Sequence, residues 1–209
     1  MCQRSRVSDV AETPEVSPKR GDARRAAIRA AAIEQFLARG YSATSMANIA
    51  EAAGVSRPAV YQYFTDKDDV FASSFTLVFE RHTEAALREL EAAETVGEAL
   101  DGLLQRYDGD LWEMVASSPH YDEIVAAKSP TVATAIYAVL DRFWAAVADW
   151  LAEQHPGRGK ERAERRAGWL DVLRWSPQGM RFDGPSVEQL RGRLSALARS
   201  VASDIDTAT

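Results

Sequence analysis

The chain has 209 residues, 46% hydrophobic and 27% charged, which is enough apolar material for one large globular domain or two small ones. No apolar run is long enough to span a membrane and none follows the N-terminal arginines as a signal sequence would, so a cytoplasmic protein is expected. The lone cysteine, Cys2, excludes an intrachain disulfide framework and a thiolate metal site.

A net charge of −6 would argue against nucleic acid if it were spread evenly, but it is not. Between Lys19 and Lys67 eight basic residues stand against four acidic ones, while residues 68–209 hold an excess of nine acidic side chains. A basic module is joined to an acidic body.

Residues 1–20 mix Ser, Pro, Glu and Arg without apolar periodicity and are predicted to be a flexible tail. From Asp22 the spacing of Ile28, Ala32 and Phe36 predicts a first helix, with Gly40 as its stop. Two short helices are predicted in Thr44–Phe64. Thr44 or Ser45 caps the first, which buries Met46, Ile49, Ala50 and Ala53. Gly54 supplies the tight turn, Val55 plugs the corner, and Ser56 caps the second helix, where Val60 and Phe64 face inward at i, i+4. Pro58 is harmless in a first turn, whose amides have no intrahelical partner.

That arrangement leaves Arg57, Pro58, Ala59, Gln62 and Tyr63 on or near the outer surface. A helix entering the major groove needs small residues where its backbone comes close and longer polar ones where it must reach. Ala59 suits a thymine methyl, Gln62 an adenine, and Arg57 a guanine or a phosphate. Thr44, Ser45, Tyr61, Tyr63 and Lys67 are candidate phosphate contacts, which position rather than specify. The competing reading makes Tyr61 and Tyr63 packing residues of a small helical domain.

The ordered set over residues 24–67 resembles the TetR family of transcriptional regulators: a first helix with spaced Ile and Phe ending in Gly, then Thr-Ser, Ile-Ala, Ala-Gly-Val-Ser, Tyr-x-Tyr-Phe and Lys. The resemblance implies that Thr44, Tyr61, Tyr63 and Lys67 contact phosphates and that Arg57, Pro58, Ala59 and Gln62 form the base-reading surface. It also implies that residues 68–209 bind a ligand and dimerise. Pro58 departs from the more flexible or polar residue common at its position, so base preference is not inherited. Domains are expected at 21–67 and 68–209.

In the acidic body, helix starts are predicted at Asp66, Thr95, Ser118-Pro119, Ser129-Pro130 and Ser186, and stops at His155-Pro156-Gly157 and Ser176-Pro177-Gln178-Gly179. The chain is therefore predicted to be all-α, with about nine helices. Val187, Leu190, Leu194, Leu197 and Val201 follow 3-4-3-4 spacing, and Ala163, Ala167 and Leu170 lie on the preceding helix. Together they are predicted to form a four-helix dimer interface, with intrachain core as the alternative. A two-fold dimer would read an inverted repeat, its recognition helices about 34–36 Å apart or a multiple of that. The helix running from Lys67 toward His82 is the expected lever between the domains.

Aromatic residues are spread over the middle helices, and Phe75, Tyr107, Trp112 and Trp144 are the candidate pocket residues for an unidentified small-molecule ligand; a cationic hydrophobe would suit aromatic walls in an acidic body. No cofactor or metal motif is present. His120-x-x-Glu123 is the nearest approach to a metal or acid–base pair, and it lacks the additional inward ligands that helical metal sites use. An enzyme on a helical scaffold and a helical adaptor are the competing classes. The adaptor reading leaves the basic Tyr-x-Tyr-Phe-x-x-Lys surface unexplained. The expectation is thus a sequence-specific DNA-binding regulator, a repressor released from its operator by ligand.

Overall fold

Side-chain caps cut the chain into helices at nearly all of the positions read from sequence. The computed structural model describes residues 20–126 and 129–208, so the proposed tail lies outside the described residues except for Arg20. The segments are α1 (Arg20–Ala43), α2 (Met46–Ala52), α3 (Arg57–Tyr61), α4 (Lys67–Ala92), α5 (Val96–Leu104), α6 (Asp110–Ala116), α7 (Tyr121–Ala126), α8 (Pro130–Gln154), α9 (Lys160–Gly179) and α10 (Val187–Ala208). A π-helical turn, Gln105–Gly109, joins α5 to α6 without a break, which leaves nine rods and no strand among the described residues.

Ser45 and Asn48 cap α2 reciprocally, and Ser56, Asp66, Thr95 and Ser129 each accept an amide hydrogen at the start of α3, α4, α5 and α8. Ser186 and Gln189 form the capping box expected at α10. Gly40 leaves the helical region at φ 78°, a conformation open to glycine at little cost, and so ends the regular part of α1.

Two expected boundaries differ. Ser118 Oγ accepts from the His120 amide at 3.1 Å and donates to the Leu37 carbonyl at 2.7 Å, and α7 begins only at Tyr121. Ser176-Pro177 does not stop α9, which continues to Gly179 with Pro177 buried inside it. The Met180 amide still donates to the Ser176 carbonyl at 3.1 Å, so the helix survives the one donor that proline removes.

Two apolar clusters organise the packing. One joins Ile28, Ala32 and Phe36 of α1 to Met46, Ile49, Val60 and Phe64, then to Val70, Phe71 and Phe75 of α4, and on to Ile124, Val132 and Ile136. The other gathers Ala86 and Leu90 of α4 with α5, Phe143, Trp144 and Val147 of α8, Trp169 and Leu173 of α9, and the inner face of α10. Apolar packing therefore runs straight through the expected boundary at residue 67.

The expected dimer stripe is corrected by this packing. Leu190, Leu194 and Val201 are buried in the chain's own core, and Val187 and Leu197 pack partly against it. Their spacing records α10 lying along α5, which needs the same narrow stripe as a partner chain would.

His155 closes α8 with its ring buried and set edge-on to Trp169, at 5.2 Å between centroids. Burial, then the charges of Arg162, Arg165 and Arg166, push its pKa below the ordinary histidine value. The unfolded chain therefore binds a proton at His155 more readily than the folded chain does. The neutral ring's contribution is complete above about pH 6.5 and declines as pH falls from there toward the lowered folded value. Thermal unfolding should move to lower temperature over that window, and His155→Phe should flatten the dependence; an unchanged pH profile in the variant would refute this assignment.

Candidate DNA interface and ligand cavity

The α2–α3 corner is set by local chemistry. Gly54 takes φ 65° and carries the turn, while the Val55 amide donates to the Ala50 carbonyl at 3.0 Å and brings the half-buried Val55 into the corner. Val60 and Phe64 point inward and fix the rotation of α3. That rotation leaves Arg57, Pro58, Tyr61 and Gln62 exposed, with Ala59 and Tyr63 half-buried at the edge.

Arg57 lies 5.7 Å from the Tyr61 ring centroid and its Nη2 is 3.4 Å from the Tyr61 hydroxyl, so the two form one exposed donor surface. Ser45 is exposed at the start of α2. Lys67 sits over the Tyr41 ring at 4.2 Å and donates to the Tyr41 carbonyl at 2.9 Å, which aims the ammonium from the start of α4 and leaves it two further donors. Arg25 donates to the Tyr63 carbonyl at 3.0 Å and tethers α1 to the end of the recognition segment.

Thr44 does not belong to this surface. It is 1% exposed, and its hydroxyl lies 2.7 Å from the Gly40 carbonyl and 3.1 Å from the Gln35 carbonyl. The hydroxyl serves the carbonyls left open where α1 breaks, and cannot reach a phosphate.

Between α4, the α5–α6 rod, α7, α8 and α9 lies a cavity of about 460 Å³. All four pocket candidates, Phe75, Tyr107, Trp112 and Trp144, line it. Val125, Tyr137 and Trp175, also in its wall, are among the exposed large apolar residues and mark its open side.

Sequence reading named Tyr107 but missed the rest of the cavity's polar corner: Asp108, beside Tyr107 on the π turn, Arg174 on α9, and Arg181 beyond it. Asp108 is 2% exposed and ion-paired with Arg181. Burial pushes the Tyr107 hydroxyl up to about 12, against the opposing pull of Arg181 and Arg174, so it remains a neutral phenol. Burial also lowers the pKa of Arg181. The one available sequence signal was an Asp inside an otherwise apolar helical face.

His120-x-x-Glu123 acts as a strut. Glu123 Oε1 accepts from the Ser42 amide at 2.6 Å, and Oε2 lies 3.7 Å from His120 Nδ1. Hydrogen bonding from Ser42, then the charges of His120 and Lys67, hold the Glu123 carboxyl below its usual value. Among the described residues no group of three or more His, Cys, Asp or Glu side chains is placed to hold a metal ion.

Thr44→Val removes the hydroxyl from the Gly40 and Gln35 carbonyls and should cost about 1–3 kcal/mol of stability in urea unfolding. Thr44→Ser should retain most of it. A Thr44→Val protein of unchanged stability would refute the buried role.

The family described as "Bacterial regulatory proteins, tetR family" matches residues 28–73, which cover α2, α3, most of α1 and the start of α4. The transcriptional activator FasR of Mycolicibacterium smegmatis is 41% identical over 63 residues, which is 30% of this chain and only 27% of FasR. Likeness to the curated relatives thus spans about a quarter to a third of their length. A solved TetR-family regulator from Mesorhizobium loti superposes at TM-score 0.65 with 20% identity, covering 89% of this chain and 98% of that one. FadR of Bacillus subtilis, solved in complex with stearoyl-CoA, superposes at TM-score 0.58 with 20% identity, covering 88% and 97%. No helix among the described residues is long and apolar enough to cross a membrane. Residues 28–73 are thus similar to the DNA-binding segment of the tetR family, and the described residues share the all-α fold of solved TetR-family regulators.

Proposed function

We propose that the protein is a homodimeric transcriptional regulator that binds an inverted-repeat operator and is released from it by a small molecule held in the cavity. The observation that carries this reading is the exposed surface of Arg57, Pro58, Tyr61 and Gln62, with Ala59 half-buried at its edge, rotated outward by buried Val60 and Phe64 in a basic module. Arg57, Ala59 and Gln62 read base edges. Ser45, Tyr61, Tyr63 and Lys67 contact phosphates. Repression follows from occlusion of promoter DNA.

Dimerisation moves outward from the stripe read in sequence. Ala163 and Ala167 are exposed on α9 and Leu170 is half-buried there, beside the exposed Val172 and Trp175. Gly192 and Ala196 are exposed on α10. Small residues on both helices let a second copy approach closely, with Val172 and Trp175 supplying apolar area.

Two elements link cavity to reader. α4 contributes Phe71, Phe75, Val78 and Phe79 to the cavity wall and presents Lys67 at its first turn. α7 contributes Tyr121 and Ile124 to the wall, while Glu123 on the same helix holds the Ser42 amide. A ligand that prefers one spacing of α4 and α7 thereby selects one placement of the recognition helices. FadR, with its acyl-chain ligand, is a precedent for a ligand in a fold of this kind.

Selection of bound duplexes from a random pool by the purified protein should enrich an inverted repeat. Gln62→Ala should relax preference at one position of each half-site, at a cost of about 1–3 kcal/mol in discrimination. No enrichment from folded protein would overturn the reading. Ala167→Arg should lower the mass found by light scattering from two subunits to one, and a variant still of dimer mass would place the interface elsewhere.

A further inference from the structure

The cavity's polar corner carries information about the ligand's chemistry. Asp108 projects from the π turn, a widened turn that often marks a functional position in a helix. A network fixes that turn. Gln105 Nε2 donates to the Arg191 carbonyl at 3.0 Å, and Arg191 Nη1 donates to Gln105 Oε1 at 3.0 Å. Arg191 Nη2 also reaches Asp110 Oδ1 and Glu113 Oε2, each at 2.7 Å.

With Asp108 held in this way, one carboxylate oxygen pairs with Arg181 Nη2, while Oδ2 is buried without a hydrogen-bond partner. Arg181 Nε is likewise buried and unpartnered. Both residues line the cavity, and a buried acceptor and a buried donor left without partners are costly.

The charges around them discriminate among head groups. An ammonium on the ligand would satisfy Asp108 but meet Arg181 and Arg174 in the same wall. A carboxylate would meet the buried Asp108 oxygen, which needs a donor it does not have. A neutral group that both donates and accepts satisfies the two atoms without adding a buried charge.

We propose that the cavity takes an uncharged amphipathic ligand with an aromatic or fused-ring body, bearing a hydroxyl or amide that donates to Asp108 Oδ2 and accepts from Arg181 Nε. The body lies among Phe75, Phe79, Trp112 and Trp144. The neutral Tyr107 phenol, also a residue of the cavity wall, adds a further donor. A cationic hydrophobe, which an acidic body suggested, is disfavoured by the two arginines. This inference rests on the cavity being the ligand chamber of the proposed regulator.

Four probes that share one ring system test it by calorimetry at neutral pH on the full chain: naphthalene, 2-naphthol, 2-naphthoate and 2-naphthylmethylammonium. The hydroxyl should bind about tenfold or more tightly than naphthalene and than either ion, the worth of one hydrogen bond to a charged group. Asp108→Leu with Arg181→Leu removes the ion pair without stranding either charge, and should bring 2-naphthol down to the affinity of naphthalene while leaving naphthalene binding intact. Tightest binding of either ion, or a hydroxyl preference that persists in the double variant, would overturn the proposal. Naphthalene binding without a hydroxyl advantage sinks the head-group inference alone; failure of all four probes to bind sinks the chamber reading as well.

Discussion

Two long helices, α4 and α8, belong to both hydrophobic clusters, and of the two it is the 26-residue α4 that also begins at the recognition surface. The N-terminal half of α4 buries Phe71 and Phe75 against Phe36 of α1, with ring centroids at 4.9 and 6.3 Å. Its C-terminal half buries Ala86 and Leu90 among the helices of the body. Repacking either cluster disturbs this rod and α8 beside it. Packed interiors resist continuous deformation, so a shift at one end is transmitted as a displacement of the whole rod. Placing Lys67 at its first residue and an aromatic wall along its middle couples two chemistries through one rigid body.

The helical outline was readable because it rests on local chemistry. Gly40, Gly54, Ser45, Ser56, Asp66 and Thr95 act within a few residues of themselves, and each does what its type and position imply. The outward set on α3 was readable for the same reason: inward Val60 and Phe64 determine which residues remain outside. Thr44 was misassigned because a hydroxyl before a helix looks the same whether it faces solvent or turns back to a broken helix end. Only the approach of the Gly40 and Gln35 carbonyls decides between the two.

Long-range pairing was not readable. The spacing of Leu190, Leu194 and Val201 specifies a narrow apolar stripe and says nothing of which helix covers it; α5 of the same chain does. The Asp108–Arg181 pair joins residues 73 positions apart, and no local pattern announces it. Glu123 was weighed against metal chemistry and set aside, yet its partner is a backbone amide 81 residues away. Pro177 misled for a different reason. Proline forbids one hydrogen bond, and near a helix end a single lost bond does not terminate the helix.

All five tryptophans lie beyond residue 111, and the basic module has none. Three of them, Trp112, Trp144 and Trp175, stand in the cavity wall, while Trp169 lies outside it and donates to Asp204 Oδ2 at 2.6 Å. The molecule therefore carries its optical reporters at one end only. In the proposed regulator the indoles would report on what enters the cavity, and DNA docked on residues with no indole among them would change that light only through the helices that link the two sites. Occupancy and conformational coupling can be separated in one unlabelled sample by adding the two partners in either order.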